Sequence, residues 1–279
     1  MPKKEIDKAQ SQFFGQRISS AKADDGIIGD SIMRQCQDFM DKDRLPFVSI
    51  IVLNYNSAQY LNECLLRLSM INYPLDNYEI IVADNASTDN SVEIVKGKFP
   101  NVIIKQFKKN YGFALGNNIA AKISKGKYIA FVNPDTRVTA NWLIELVKIM
   151  ESDERIGICG GKVLNSEFPE LIQNAGFKML ILGLGLPNGY CKIDSPLFDN
   201  FQYVLGPSGC SMLVRKDIFF NIGGFDSDYF MLVEEFDLDL RIWLSGYKGA
   251  YVPTSISYHK FGGKFGSKRG SKWLVYWVE

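Results

Sequence analysis

Five cysteines and a single histidine are the only thiol and imidazole groups this 279-residue chain carries. The cysteines (Cys36, Cys64, Cys159, Cys191 and Cys210) are odd in number and far apart, and no C-x-x-C pair occurs. Neither a zinc site nor a disulfide framework fits that spacing, and reduced thiols in the cytoplasm are the plain expectation. Long apolar runs are missing too. The longest, around residues 179–186, is interrupted by glycine and falls far short of the roughly 20 residues that a membrane span needs. The opening Met1-Pro2-Lys3-Lys4 leads into polar sequence without the apolar stretch of a secretory leader. Net charge is +1, so no overall field draws the chain to nucleic acid. Neither a Walker loop nor G-x-G-x-x-G is present, which argues against P-loop and nicotinamide-dinucleotide chemistry.

What is present is a recurring arrangement. The apolar run at 48–53 leads into Asn54-Tyr55-Asn56, residues 79–82 lead into Asp84-Asn85, and residues 128–132 lead into Asn133-Pro134-Asp135. Continuous apolar runs suit strands buried on both faces. In open α/β sheets, ligands bind beyond the carboxyl ends of the strands. Asn and Asp are also ordinary turn residues, so the weight lies in the threefold recurrence. It predicts a nucleotide pocket with a metal ligand in its third loop. Between these strands, helical spacing is found at 57–70 (Leu61, Leu65, Leu68), 87–98 and 112–123, with a further strand at 102–107 and a helix from about 140 to 150. That alternation predicts an α/β fold with a mainly parallel sheet flanked by helices. The second half adds strands at 156–163, 203–205, 211–214, 249–252 and 256–258 and a helix at 234–245, completing a mixed sheet. Residues 1–45 differ, with as many basic as acidic residues and a weak stripe of Ile28, Ile32 and Cys36. They read as an extension with one amphipathic helix ahead of a single domain at 46–279.

Several residues stand out chemically. Asp135 is placed at the sheet's carboxyl edge, where a hard divalent cation takes one or two carboxylates plus phosphate oxygens. Equally, it reads as a turn acid capping the helix near Ala140. His259 follows a short strand; a lone histidine is more often structural, yet a neutral imidazole opposite Asp135 supplies a second ligand. Glu234, Glu235, Asp237 and Asp239 open a helix, where the dipole favours acids, and Asp237 can pair with Arg241 at i,i+4. A carboxylate beside an acceptor hydroxyl also serves as a general base. The segment from Asn110 to Asn118 opens a helix whose N–H groups can approach phosphate. Gly206-Pro207-Ser208-Gly209 lets a loop pass close to a ligand, or simply turns. Lys260, Lys264, Lys268, Arg269 and Lys272 form either a solvated tail or a surface for phosphate and anionic membrane.

Seven motifs then follow in order: VSIIVLNYNSAQYL, EIIVADNASTDNS, NYGFALGNN, YIAFVNPDT, GPSGCSMLVRK, GGFDSDYFMLVEEFDLDLR and YHKFGG. From about Pro46 to its end, the chain resembles glycosyltransferase family 2 enzymes of the GT-A fold, nearest the rhamnosyltransferase-like branch. The resemblance implies an inverting transfer from a UDP-, dTDP- or GDP-sugar, with Mg²⁺ or Mn²⁺, to a glycan or lipid-linked acceptor. By analogy, Asn54, Asp84 and Asn85 hold base and ribose, and Asn110 and Asn117 lie along the nucleotide. Asn56 and Asn133 belong to the same nucleotide-sugar set, and Ser208 and Gly209 sit beside the donor sugar. Asp135 matches the last acid of the D-x-D metal motif, with His259 as its companion ligand. Glu235 matches the catalytic base, preceded by Glu234. Two positions depart from the pattern. Asn133 replaces the first acid of a strict D-x-D, and Glu235 stands where many relatives have Asp, which leaves the base to be chosen among Glu234, Glu235 and Asp237. Relatives often continue past the final Trp-Val-Glu into membrane helices, so a catalytic domain at the cytoplasmic membrane face is expected. Two other classes share parts of this picture. One is a sugar-nucleotide-binding domain without catalysis. The other is a nucleotidyltransferase, whose glycine-rich basic signature Asn54-Tyr55-Asn56-Ser57 lacks.

Overall fold

A computed structural model describes residues 45–179, 185–230 and 233–260. The first strand, β1 (Val48–Asn54), lies between β2 (Tyr78–Asp84) and β4 (Tyr128–Val132), parallel to both, and β3 (Ile103–Gln106) extends the parallel edge beyond β2. Parallel strands need crossovers. Here they are α1 (Ala58–Leu68), α2 (Ser91–Lys98) and α3 (Gly112–Ala121). Alternation along β1 assigns its two faces. Val48, Ile50 and Val52 pack with Leu61, Leu65 and Leu68 of α1 and with α4 (Trp142–Ser152). Ile51 packs on the other side with Ala114, Ala120 and Ala121 of α3. The small residues of α3 are therefore packing residues that let the helix sit close to the sheet.

Beyond β4 the sheet turns mixed. The strand β11 (Ser211–Arg215) runs antiparallel to both β4 and β6 (Ile156–Asn165), while β12 (Lys248–His259) is parallel to β6 and antiparallel to β10 (Gln202–Val204). On the far face lie α5 (Lys216–Asn221) and α6 (Glu234–Leu244), which bury Ile218, Phe219, Leu238 and Ile242 in the same cluster as Ile51. The mixed, mainly parallel α/β architecture expected from the sequence is thus present. Among the described residues no helix is long and apolar enough to cross a membrane.

Several expectations need correction. The helix expected from residue 87 begins at Ser91, because Ser87, Thr88 and Asp89 are engaged by Asn54 and Asn56. The two late strands are one, β12, with an irregularity in register between Val252 and Ile256. Four short strands escaped the sequence: β5 (Thr136–Val138) on β12, β7 (Ile172–Asn174) on β6, and β8 (Phe177–Met179) with β9 (Gly185–Pro187), which pair as a hairpin. The expected N-terminal helix and the basic run beyond Lys260 lie outside the described residues.

The irregularity in β12 is accommodated by a glycine. A Cβ on Gly161 of β6 would stand 1.9 Å from the Ser255 carbonyl oxygen, a backbone atom with no rotamer to give way. Gly161→Ala is expected to lower stability by about 1–3 kcal/mol, as overpacking does. Gly97→Ala is the control: nothing lies within 4 Å of its added methyl, and it is expected to gain about 0.5–1 kcal/mol from helix propensity. Urea midpoints of the two variants check both signs.

Candidate functional site

The loops after β1, β2 and β3 are knitted by buried amides. Asn54 is fully buried, and its Nδ2 points at Asp84 Oδ1 (2.8 Å), Ser87 Oγ (3.0 Å) and Ser91 Oγ (2.7 Å). Asn56 adopts a left-handed φ of 48° and accepts the Thr88 and Asp89 N–H groups on Oδ1. Buried Asn85 donates from Nδ2 to Asn110 Oδ1 (2.8 Å) and to the Gly112 carbonyl (3.0 Å), and accepts the Tyr111 N–H (2.8 Å). Asn54, Asn56, Asp84, Asn85 and Asn110 are therefore brought together at the carboxyl ends of β1 and β2. Their side chains point largely at one another, as buried polar groups generally do, and the exception is Asn54 Oδ1, which is buried without a hydrogen-bond partner. Asn117 stands apart, buried in α3 with its Nδ2 on the Phe113 carbonyl.

The start of α3 does not offer the free amides expected there. Tyr111 N–H goes to Asn85, Gly112 N–H to Asn110 Oδ1, and Phe113 N–H to the Phe230 carbonyl at 2.8 Å. Gly112 is required at that crossing: its φ is +77°, and a Cβ would meet the same carbonyl at 2.4 Å.

The third loop is tied to the second half of the chain. Asn133 N–H (3.0 Å) and Thr136 Oγ (3.2 Å) both donate to the Cys210 carbonyl. Asp135 is no cap for α4, since β5 intervenes and α4 begins only at Trp142. Instead its Oδ1 lies 3.3 Å from His259 Nε2, because the β5–β12 ladder sets His259 opposite Thr136. The other ring nitrogen, Nδ1, is 2.9 Å from Gln173 Oε1. Nothing in the sequence singled out Gln173, as its contact with His259 spans 86 positions.

The acids of α6 separate into distinct environments. Asp237 Oδ2 is taken by Arg241, whose Nη2 and Nε donate at 2.6 and 2.8 Å. Glu234 is buried, its Oε2 has no hydrogen-bond partner, and burial together with the Glu235 charge pushes its carboxyl up to about 7. Glu235 remains partly exposed, with its carboxyl also raised by burial, and rests on Gly209, where a Cβ would lie 3.2 Å from its own. Asp239, one turn further, is wholly buried with both oxygens unpartnered, and burial raises it well above the carboxylate range, Glu235 adding to the effect. Its carboxyl occupies the space of a missing Cβ on Gly206. The sequence placed Asp239 among the acids but gave no sign that it faces inward. Cys210 lies between the two ends of the site. Burial pushes its thiol up to about 12 against the opposing hydrogen bond from Ser208, and the charges of Asp135 and Glu235 both add to the rise.

The donor set at Asp135 and His259 suits a hard or borderline divalent ion: one carboxylate oxygen and one imidazole nitrogen, adjacent and partly exposed. Among the described residues no group of three or more His, Cys, Asp or Glu side chains forms a fuller cage. Such a pair fits an ion that completes its shell with phosphate oxygens and water.

This sheet, with a polar rim at its carboxyl end, a carboxylate–imidazole pair and an acid-headed helix, defines a GT-A fold. The mannosyltransferase of Pyrobaculum calidifontis in complex with GDP-Man and Mn²⁺ superposes with a TM-score of 0.61 at 17% identity, over 95% of this chain and 69% of that one. The glycosyl transferase family 2 model matches residues 49–220, more than half the chain, and the chain belongs to that family. Rhamnosyltransferase WbbL of Escherichia coli K12 is 28% identical over 76% of this chain and 83% of its own length. The N-acetylglucosaminyl-diphospho-decaprenol L-rhamnosyltransferase of Mycobacterium tuberculosis is 27% identical over 78% and 76%. These support the rhamnosyltransferase-like branch. Of two longer curated relatives the chain spans only 24% and 21%.

The buried acids give a pH dependence with a definite sign. A Glu234 carboxyl raised to about 7 in the fold, against an ordinary value of 4.5, binds its proton more tightly folded than unfolded. The stability it contributes is complete below about pH 4.5 and is lost as pH rises through 7. The slope has a limit of about 1.4 kcal/mol per pH unit. Glu234→Gln is expected to flatten the fall in Tm between pH 5 and 8 and to raise Tm at pH 8. A scan of Tm against pH for both proteins reads this directly; a steeper fall in the variant contradicts it.

Proposed function

We propose that this chain is a metal-dependent inverting glycosyltransferase that moves a sugar from a nucleoside diphosphate donor to a hydroxyl acceptor. The observation that carries the reading is the Asp135–His259 pair, 3.3 Å apart, whose loop hangs from the Cys210 carbonyl next to the Gly209 backbone on which Glu235 rests. Asp135 Oδ1 and His259 Nε2 would hold Mg²⁺ or Mn²⁺. When bound, such an ion neutralises charge developing on the diphosphate leaving group. The knitted loops that contain Asn54, Asn56, Asp84, Asn85 and Asn110 form the nucleotide side. Asn133, Ser208 and Gly209 line the passage between nucleotide and acid.

Glu235 takes the proton of the acceptor hydroxyl as that oxygen bonds to the anomeric carbon. The bond from that carbon to the diphosphate oxygen breaks on the opposite face, and the nucleoside diphosphate departs with the electron pair. Attack from the opposite face inverts the centre. A carboxylate raised by partial burial is a stronger base than one in water, which suits this step. Of the three candidate bases, Asp237 is held by Arg241 and Glu234 is buried, so Glu235 is the one that an acceptor reaches.

The acceptor side is apolar. Phe236, next to Glu235, packs edge-on to Phe177 and against Gly185 of the β8–β9 hairpin, where Met179 and Leu186 are exposed. Phe230 and Val233 add exposed apolar surface at the start of α6. This, with the decaprenol-linked acceptor in the name of the mycobacterial relative, supports a lipid-linked acceptor at the cytoplasmic membrane face.

The test is a thermal-shift screen with UDP-, dTDP- and GDP-sugars, with and without Mg²⁺ or Mn²⁺, followed by transfer assays on any donor that stabilises the protein. One nucleotide sugar is expected to raise Tm only with metal, and Asp135→Ala to abolish that rise. Glu235→Gln should keep the rise and lose transfer by about 10²–10⁴-fold, the usual share of a general base. Full transfer by Glu235→Gln overturns its role, and donor binding without turnover in the wild type would mark a binding module.

A further inference from the structure

His259 is held from two sides by one amide. Gln173 Nε2 donates to the His259 backbone carbonyl at 2.9 Å, and Gln173 Oε1 lies 2.9 Å from His259 Nδ1. A carbonyl only accepts, so the amide nitrogen must face it, and the amide oxygen must then face the ring. That oxygen is also only an acceptor, so Nδ1 must carry the hydrogen. Gln173 is buried in β7, and Ser166 N–H (3.0 Å), just past the end of β6, binds the same His259 carbonyl, so that carbonyl is held by two separate donors.

We propose that Gln173 is a positioning residue that locks His259 in the Nδ1–H tautomer and so presents a bare Nε2 lone pair beside Asp135. This rests on the reading of His259 as a metal ligand and adds a way in which the chain prepares it. Free imidazole does not choose this tautomer by itself. Without the Gln173 oxygen, the Asp135 carboxylate 3.3 Å from Nε2 favours a hydrogen on Nε2, the atom needed for ligation. Partners of this kind fix ring orientation and tautomer at metal sites, and losing one typically weakens the metal by roughly 10–100-fold.

Because His259 is the only histidine, imidazole nitrogen NMR of the full chain shows a single ring. At alkaline pH the metal-free wild type is expected to carry its hydrogen on Nδ1. Gln173→Met, similar in length but without an acceptor oxygen, should move it to Nε2, and Gln173→Glu, which keeps an acceptor against Nδ1, should leave it in place. A wild-type ring with its hydrogen on Nε2 overturns the proposal without any variant. The second readout is binding of Mn²⁺ alone, followed by its free-ion EPR signal. Gln173→Met should weaken binding by roughly 10–100-fold, Gln173→Glu far less, and His259→Ala at least as much as Gln173→Met. Gln173→Met added to His259→Ala should cost nothing further, since its effect runs through the ring. Additive losses, or unchanged binding in Gln173→Met beside weakened binding in His259→Ala, overturn the positioning role. Unchanged binding in His259→Ala instead removes the ligand reading, and the tautomer measurement then decides the role of Gln173 by itself.

Discussion

Two donors converge on the carbonyl of Cys210, and most of the site's geometry hangs from that atom. Asn133 N–H and Thr136 Oγ reach it where β4 ends and β11 begins, with Val132 opposite Ser211. The parallel half of the sheet stops on one side of this seam and the mixed half starts on the other. A hydrogen bond of this kind contributes only about 0.5–1.5 kcal/mol net, so its value lies in placement. It fixes the Asn133–Asp135 turn against the loop that carries Ser208 and Gly209. That loop in turn lies under Glu235, and β5 leads from the turn onto β12 and His259. The Asp135–His259 pair and Glu235 are therefore set by backbone, with little left to side-chain freedom.

Glycine makes this convergence sterically possible. The 206–210 loop passes within contact of three separate groups, and at each crossing a Cβ is missing. Gly160 of β6 lies under Pro207, where an added Cβ would stand 2.3 Å from the ring; Gly206 admits the Asp239 carboxyl; Gly209 admits Glu235. The first crossing joins β6 to the loop, and the other two join the loop to α6. The segment's glycines were visible in the sequence as a sign that something passes close by, but which partner passes was not, because the partners lie far away along the chain, Glu235 from Gly209, Asp239 from Gly206 and Gly160 from Pro207.

The first half of the chain was legible because its signals are local. A continuous apolar run, a cluster of Asn and Asp, and a helical stripe follow one another within about thirty residues, and the βαβ connection permits few arrangements. The polar clusters did mark the carboxyl edge of the sheet. What the residues could not say was which way each side chain turns. Asn54 reads as a ligand-facing residue at the end of a buried strand, yet its amide nitrogen is spent on Asp84, Ser87 and Ser91 and only its buried oxygen is left without a hydrogen-bond partner. The short strands β5 and β7 were illegible for a related reason. Three residues carry almost no periodicity, and these become strands only because β12 and β6 supply the other half of the ladder. His259 and Asp135 were each ambiguous alone, and it is β5 that puts them side by side.

The head of α6 shows how the start of one helix can hold four acids without four charges. The helix dipole favours an acid there by about 0.3–1 kcal/mol at the surface, whereas an unpaired buried carboxylate costs several kcal/mol. Burial therefore wins for Glu234 and Asp239, whose raised pKa values keep protons on them towards neutral pH. Asp237 keeps its charge and spends it on Arg241. Only Glu235 is both open to solvent in part and free of a cationic partner among the described residues. Protonated neighbours lower the repulsion that a charged Glu235 would meet, yet their bulk keeps water from surrounding it. A carboxylate in that position is basic because it is poorly solvated, and it stays reachable because Gly209 leaves space on its open side. Four acids that look alike in the sequence are, in the fold, separated by burial and pairing, and Glu235 differs from Glu234 and Asp239 in burial and from Asp237 in pairing.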